Sequence, residues 1–458
     1  MRPIGGISLS EPKKQNYLHG AAILAAGVVI MKILGFIYKV PLGNILGDEG
    51  YTHFLVAYNI YSVFLTVATA GLPVALSRMI SEANTMNRPN QVKRIFSVAW
   101  LTFLVLGVVC TLVMFLFPTE LADSLNDVEA SQSILALSPA VLLVCLTSAY
   151  RGYCQGHENM KPTTVGQVLE VLVKVVVGLV LAWYLRDLGR SLPLVSAGAI
   201  FGVTAGSLAA LVYMFAYKRR CYSALPAGND VPESGARILS TLLKVGIPIT
   251  LGSSVLSLIN LVDSGLCMGR LQDAAGFSYA DAKVLYGVYG KAQTLYNLPA
   301  AFITPLTISV VPAIAACRVT HRGRESSRIA ENSLRIATVI ALPMGVGLSV
   351  LSYPIMTVIY PGSHESGPEL LMLMGAASFF VCMALMMNAV LQAGGNEKYP
   401  IYSMVIGGVV KICVNWFLVA DPHINILGAP IGTLSCYAVM CVMDYIFLCQ
   451  VMPERPRL

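Results

Sequence analysis

Apolar stretches of 18 residues or more recur from Leu18 almost to the end of the chain, and no other feature limits the fold so strongly. Each is long enough, at ~1.5 Å per residue, for one helix to cross a hydrocarbon core of about 30 Å. Composition agrees: hydrophobic residues are 56% of the 458, charged residues 12%, and mean hydropathy is +0.70. A soluble protein of this length carries about twice that charge. The chain reads as an all-α polytopic membrane protein.

Twelve spans are predicted, at 18–41, 54–77, 94–117, 132–152, 163–185, 192–216, 242–264, 286–312, 330–352, 369–391, 399–419 and 426–450. No small-residue cleavage site follows the first apolar run, so it reads as a retained anchor rather than a signal peptide. With the N-terminus inside, one set of loops collects Arg78, Arg88, Lys93, Arg94, Arg151, Lys161, Lys218, Arg219, Arg220, Arg237, Arg318, Arg322, Arg324, Arg328 and Lys398. The other set holds only Arg186, Arg190, Arg270 and Lys283, and its segment 118–130 is acidic (Glu120, Asp123, Asp127, Glu129). This asymmetry places both termini in the cytoplasm. The net charge of +7 is thereby a topology signal, and no nucleic-acid partner is expected. The eleven cysteines include no CxxC pair and read as packing residues; the six histidines lack metal-ligand spacing, so no metal site is expected.

Landmarks repeat along the chain. Gln155 and Gln392 open the turns QGHENMKP and QAGGNEKYP; Pro162 and Pro400 end them; Lys174 and Lys411 follow deep in the next helices. With Pro73 and Pro312, and Pro118 and Pro354, five landmarks share an offset of 236–239 residues. An offset of six helices makes the halves parallel repeats, related by an axis along the membrane normal. The expected organisation is a cytoplasmic tail (1–17), a six-helix lobe (18–216), a basic cytoplasmic linker (217–240), a second six-helix lobe (241–451) and a tail (452–458).

Charges inside spans are the functional candidates, since each costs roughly 2.5–3.5 kcal/mol at a helix centre on insertion scales. Lys32 and Lys39 lie seven residues apart, so both project from one face about 10 Å apart, with Gly35 between them. Pro41 and Gly43 are expected to end this helix, leaving Lys32 near mid-span and Lys39 either snorkelling at the outer rim or lining a cavity. Glu170 and Lys174 are spaced to neutralise each other. Lys411 has Asp444 as its nearest helical candidate for pairing, and Asp263 has Lys291. Tyr58, Asn59 and Tyr61, with Asn260, Gln293, Tyr296 and Asn297, fall at a matching level, as ligand contacts or as interhelical hydrogen-bond donors. Lysines facing a cavity favour an anionic or pyrophosphate-bearing substrate. No GxxxxGK[ST] motif is present, so an ion (H+ or Na+), the membrane potential or downstream consumption of substrate must drive any transport.

KILGFIYKVPLGNILGDEGY, TAGLPVALSRMISE, YRGYCQGHENMKP, LYNLPAAFITPLTISVVPAIAA and VLQAGGNEKYP together resemble the multidrug/oligosaccharidyl-lipid/polysaccharide flippase superfamily. Within it, the chain most resembles the stage V sporulation protein B branch, related to the lipid II flippases, over roughly residues 18–450. The resemblance implies a MATE-like, V-shaped pair of pseudo-symmetric lobes in a bacterial plasma membrane. It implies alternating access and export of an undecaprenyl-pyrophosphate-linked sugar, with no cofactor and no catalytic residue. The partners implied are this anionic lipid-linked substrate, membrane lipids and cell-envelope synthesis enzymes, with the protein itself a monomer. Lys32, just before ILGF, matches a basic first-helix residue that meets the pyrophosphate in lipid II flippases; Tyr38 stands where a second is usual, with Lys39 next to it. Lipid II flippases usually carry two further helices, whereas this sequence ends at Leu458, so the lipid tail is expected to be held elsewhere or the substrate to differ. The substrate-binding set expected is Lys32, Lys39, Tyr58, Asn59 and Lys291; the intramembrane or coupling charges are Asp263, Glu170, Lys174 and Lys411. Two other classes compete. A cation-coupled multidrug exporter needs embedded carboxylates, for which Asp263 is the main candidate, and a membrane polymerase or ligase needs a large outer loop that the chain lacks.

Overall fold

The computed structural model describes residues 17–222, 228–319 and 322–452. The tail before Tyr17, the tail beyond Met452 and linker residues 223–227 lie outside the described residues. In chain order the helices are α1 (Tyr17–Thr69), α2 (Gly71–Thr85), α3 (Pro89–Leu116), α4 (Pro118–Asp123), α5 (Ser131–Gly156), α6 (Lys161–Asp187) and α7 (Leu192–Tyr222). They continue as α8 (Gly235–Asp273), α9 (Tyr279–Tyr296), α10 (Leu298–Val319), α11 (Gly323–Val350), α12 (Ser352–Ile359), α13 (Gly367–Ala393), α14 (Lys398–Leu418) and α15 (Gly428–Val451). No strand occurs among the described residues.

The first apolar segment, Ala26–Thr85, is 60 residues long, about 90 Å if straight and three times what a bilayer needs. It folds back at Gly47, whose φ of 70° and ψ of −168° suit a residue without Cβ. The Tyr38 and Phe54 ring centroids consequently lie 6.0 Å apart across the turn, where a straight helix would separate them by ~24 Å. The predicted end at Pro41–Gly43 is therefore corrected: Pro41 stays inside the helix. Gly43 serves close packing, because a Cβ there would lie 2.8 Å from the Tyr360 ring. Among the described residues, eleven segments are long and apolar enough to cross a membrane. The first counts twice and yields the twelve traverses expected, with α9 and α10 forming the eighth around a break at Asn297.

Helices α1–α7 pack on one another, as do α8–α15, and the two lobes meet where α1 crosses α9 and α2 crosses α8. The repeat is visible in the element starts: Lys161 and Lys398 open α6 and α14, and Leu192 and Gly428 open α7 and α15, 237 and 236 residues apart. Both glycine-bearing turns carry a positive φ at matching positions, Glu158 at 57° and Gly395 at 74°. The short helices α4 and α12 follow α3 and α11 in the same places. All eleven cysteines are free; Cys110, Cys145 and Cys382 are buried, whereas Cys413 is exposed and Cys441 half-buried.

Between the lobes, residues 228–234 lie along the start of α3. The Asp230 carboxylate accepts from the Asn90 and Gln91 backbone N–H groups at 3.0 and 2.8 Å, and Arg88 donates to the Val231 carbonyl. Desolvation pushes the Asp230 carboxyl up, but these backbone donors and Arg88 outweigh it and hold its pKa below the usual carboxylate range. A carboxylate stabilised in this way favours docking above its unfolded pKa of about 3.9 and loses that contribution as pH falls through the lowered native value. Protection factors in 228–234, which remove the intrinsic pH dependence of amide exchange, should therefore be high at pH 6 and fall below about pH 4. In Asp230→Asn they should be low at both pH values, as read by hydrogen-exchange mass spectrometry.

Candidate functional site

The N-terminal lobe carries cations without matching anions. Glu170 on α6 accepts from Arg151 at 2.6 Å and from Ser207 at 3.2 Å, so the expected Glu170–Lys174 pair does not form. Helical spacing allowed that pair, but the guanidinium across the α5–α6 contact claims the carboxylate. Lys174 instead lies over the faces of Tyr38 and Tyr58, 5.1 and 5.3 Å from their centroids, a geometry that favours a desolvated ammonium. Tyr38 is held by a hydrogen bond to the Ala199 carbonyl at 3.0 Å. Tyr58 belongs to a ring series with Phe54 and Tyr61, at 5.9 Å from each.

Lys39 is half-buried and within electrostatic reach of Tyr58, Lys174 and Lys32. Lys32 is exposed, beside Ile33 and Ile37 at 55% and 48% exposure. Because α1 runs on to Gly47, Lys39 lies ~12 Å and Lys32 ~22 Å from the turn along the helix, so Lys39 sits well inside the rim where the early helix end had placed it. With Glu170 cancelling Arg151, Lys32, Lys39 and Lys174 have no carboxylate partner among the described residues. Arg151, assigned to a loop from the sequence, belongs to α5.

In the C-terminal lobe, by contrast, the lysine at the matching repeat position is neutralised. Lys411 pairs with Asp263 at 2.7 Å, both nearly fully buried, and Asn415 donates to the same carboxylate. The predicted Lys411–Asp444 pair is absent, because Asp444 accepts from Ser403 at 2.6 Å on its own side of α15. The predicted Asp263–Lys291 pair is absent too. Lys291 reaches across the lobe interface to Asp48 at 2.5 Å.

That contact belongs to a clamp at the end of the interface where α1 turns. Asp48 also accepts from Ser363 and from the His364 backbone. Lys283 bridges Glu49 and Glu129 at 2.6 Å each. His53, fully buried, meets Asp127 at 2.7 Å, and Tyr279 donates to the same carboxylate at 2.8 Å. Glu49, His53 and Glu129 bring ligand atoms within 4.8 Å of one another, but the Lys283 ammonium already supplies the cation between the two carboxylates. Glycines allow the close crossing: a Cβ on Gly287 would lie 1.8 Å from the Asp48 carbonyl oxygen, and one on Gly290 1.9 Å from Leu55. Sequence reasoning singled out Lys291 alone in this clamp. The available signal was the acidic segment 118–130 with the acids of GDEG, facing two lysines on the same side. Elsewhere, a cavity of about 750 Å³ opens between α8, α10, α13 and α14, lined by residues such as Pro248, Ile308, Gln392 and Met404; none of the candidate charges lines it.

Two outcomes are expected. Gly287→Ala overpacks the crossing by roughly 1–3 kcal/mol, lowering the equilibrium constant for clamping about five- to 150-fold; spin labels at Asn44 and Ile359 should then report a second, longer distance. Asp263→Ala leaves the Lys411 charge buried and should cost roughly 3–5 kcal/mol, most of it recovered in Asp263→Ala with Lys411→Met. Thermal unfolding in detergent reads both variants.

Comparison with known proteins follows the same pattern. The chain is 27% identical over 454 residues to stage V sporulation protein B of Bacillus subtilis, covering 96% of this chain and 85% of that protein. It is 25% identical over 450 residues to lipid II flippase MurJ of the same organism, covering 94% and 82%. Among solved structures, an inward-facing MATE family transporter of the MOP superfamily superposes with a TM-score of 0.76 at 14% identity, covering 93% of this chain and 97% of that one. An outward-facing MATE transporter gives 0.65 at 14% identity, covering 98% of each. These neighbours share the fold. The polysaccharide biosynthesis protein family matches residues 17–318, two-thirds of the chain. This multi-pass, MATE-like membrane protein belongs to that family.

Proposed function

We propose that the protein is a flippase that moves an undecaprenyl-pyrophosphate-linked peptidoglycan or polysaccharide precursor across the plasma membrane by alternating access. The carrying observation is the charge imbalance: three lysines without carboxylate partners among the described residues of one lobe, facing a lobe whose matching lysine, Lys411, is neutralised by Asp263. Such a surface suits a pyrophosphate, which ammonium groups hold and release as point charges. Lys32 at the exposed end, then Lys39 and Lys174, form the path of the anion, with Tyr58 beside it. With both termini cytoplasmic, the Asp48–Lys291 clamp closes the outer side and the described state is open inward. Lys291 then acts as a gate residue. H+, Na+ or the membrane potential supplies the drive, and cell-envelope enzymes supply and consume the lipid. A multidrug exporter would use a carboxylate available to cationic drugs, and Asp263 is committed to Lys411 and Asn415.

The test is complementation of a strain depleted of its lipid II flippase. The wild-type protein should restore growth. Each charge-assisted contact removed is worth roughly 1.5–3 kcal/mol, about ten- to a hundredfold in affinity. Lys39→Ala with Lys174→Ala, and Lys32→Ala alone, should therefore abolish rescue while membrane levels stay normal. Undiminished rescue by these variants would sink the proposal, and failure of the wild type together with lowered drug sensitivity would favour the exporter.

A further inference from the structure

We infer that a second cavity at the lobe interface binds a neutral sugar unit; this rests on the proposed function and adds the moiety that the pocket takes. The cavity measures about 210 Å³ and draws on both lobes, with Asn59 from α1, Asn297 from the break between α9 and α10, and the rest from α8, α9, α14 and α15. Its wall is rich in amides (Asn59, Asn260, Gln293, Asn297) and phenols (Tyr296, Tyr437). The two charges that line it, Asp263 and Lys411, cancel at 2.7 Å. The pocket therefore offers no net charge to an anion or a cation. What it offers is hydrogen bonding of both signs, since each amide both donates and accepts.

Asn260 and Gln293 are available, whereas Asn297 donates to the Gln293 backbone carbonyl at 2.6 Å. The side chains of Asn260 and Gln293 make no hydrogen bond within the described residues, and Asn260 and Asn297 are exposed to the cavity mouth. Asn59 donates only a long bond, 3.4 Å, to the Tyr286 hydroxyl. A polyhydroxyl ring needs this mixture of donors and acceptors, and tyrosine rings supply apolar faces for its C–H side. The volume admits about one sugar ring and is smaller than the ~300–1,000 Å³ pockets of drug-sized ligands.

Position joins the pocket to the cationic path. Asn59 follows Tyr58, whose ring lies 5.3 Å from the Lys174 ammonium, and adjacent helical residues diverge by about 100°. One side chain therefore faces the lysines and the next faces the amides. A pyrophosphate held by the first group places the sugar it carries at the second.

The experiment measures binding of two lipids to the purified full-length protein in detergent: undecaprenyl pyrophosphate, and the same lipid carrying one N-acetylglucosamine. The wild type should prefer the sugar-bearing lipid by roughly tenfold or more, the worth of one or two hydrogen bonds. Asn260→Ala and Gln293→Leu should each shrink that preference toward unity, whereas Lys174→Gln should weaken both lipids. Unchanged melting profiles verify folding, and Asn260, being exposed, provides the variant that packing least constrains. Equal wild-type affinity for the two lipids, or a preference retained in both amide variants, overturns the sugar site and leaves the proposed function standing. No binding of either lipid to the wild type overturns the proposed function and the sugar site with it.

Discussion

The ion pair between Arg151 and Glu170 sets the electrical character of the whole interface. It is mostly buried, 12% and 20% exposed, and its bond is short, so neither partner is available elsewhere. Once Glu170 is taken, Lys174 must be stabilised by π-faces, and the lysines of α1 gain no local counter-charge. In the second repeat the equivalent lysine, Lys411, finds a carboxylate on a different helix and is silenced. Matching positions of the two repeats thus hold a lysine without a carboxylate partner in one lobe and a neutralised one in the other. Buried pairs contribute little net stability; here the pairs distribute charge.

The clamp uses the same chemistry in a wetter place. Lys283 is nearly buried, but its partners Glu49 and Glu129 are 36% and 45% exposed; Asp48, the partner of Lys291, is 10% exposed. Water within reach of the carboxylates lowers the cost of separating the ions. The Asp263–Lys411 pair, at 5% and 7% exposure within a single lobe, has no such relief. A transporter needs contacts of both kinds: some that part on each cycle and some that never do.

Much of this was legible in the sequence. Span number follows from hydropathy alone, and the offset between Lys174 and Lys411 reflects a repeat that the helix starts reproduce. Partner choice was not legible, because it is decided between helices. Glu170 and Lys174 have favourable spacing, but Arg151 approaches from α5, which no local pattern encodes. Asp444 was a reasonable partner for Lys411 until packing brought Asp263 closer. Gly47 was passed over as the turn because Pro41 and Gly43 carry the stronger breaker signals, and only a positive φ separates a glycine that turns from one that packs. Residue types and span number are read from the sequence; neighbours, and the depth of Lys39, come only from packing and the turn at Gly47.

The docking of 228–234 on α3 has a mechanical consequence. The Ser234 side chain accepts from the Arg237 backbone and caps α8, so α8 begins at Gly235, five residues beyond the point where Asp230 is tied to the first lobe. The covalent connection therefore contributes almost no slack. Any rocking of the lobes must rotate α8 about a pivot fixed on α3, like a door hung at one corner, and the greatest travel falls at the far end of the interface, where Lys291 meets Asp48. A short lever at one end and breakable ion pairs at the other are two halves of one device.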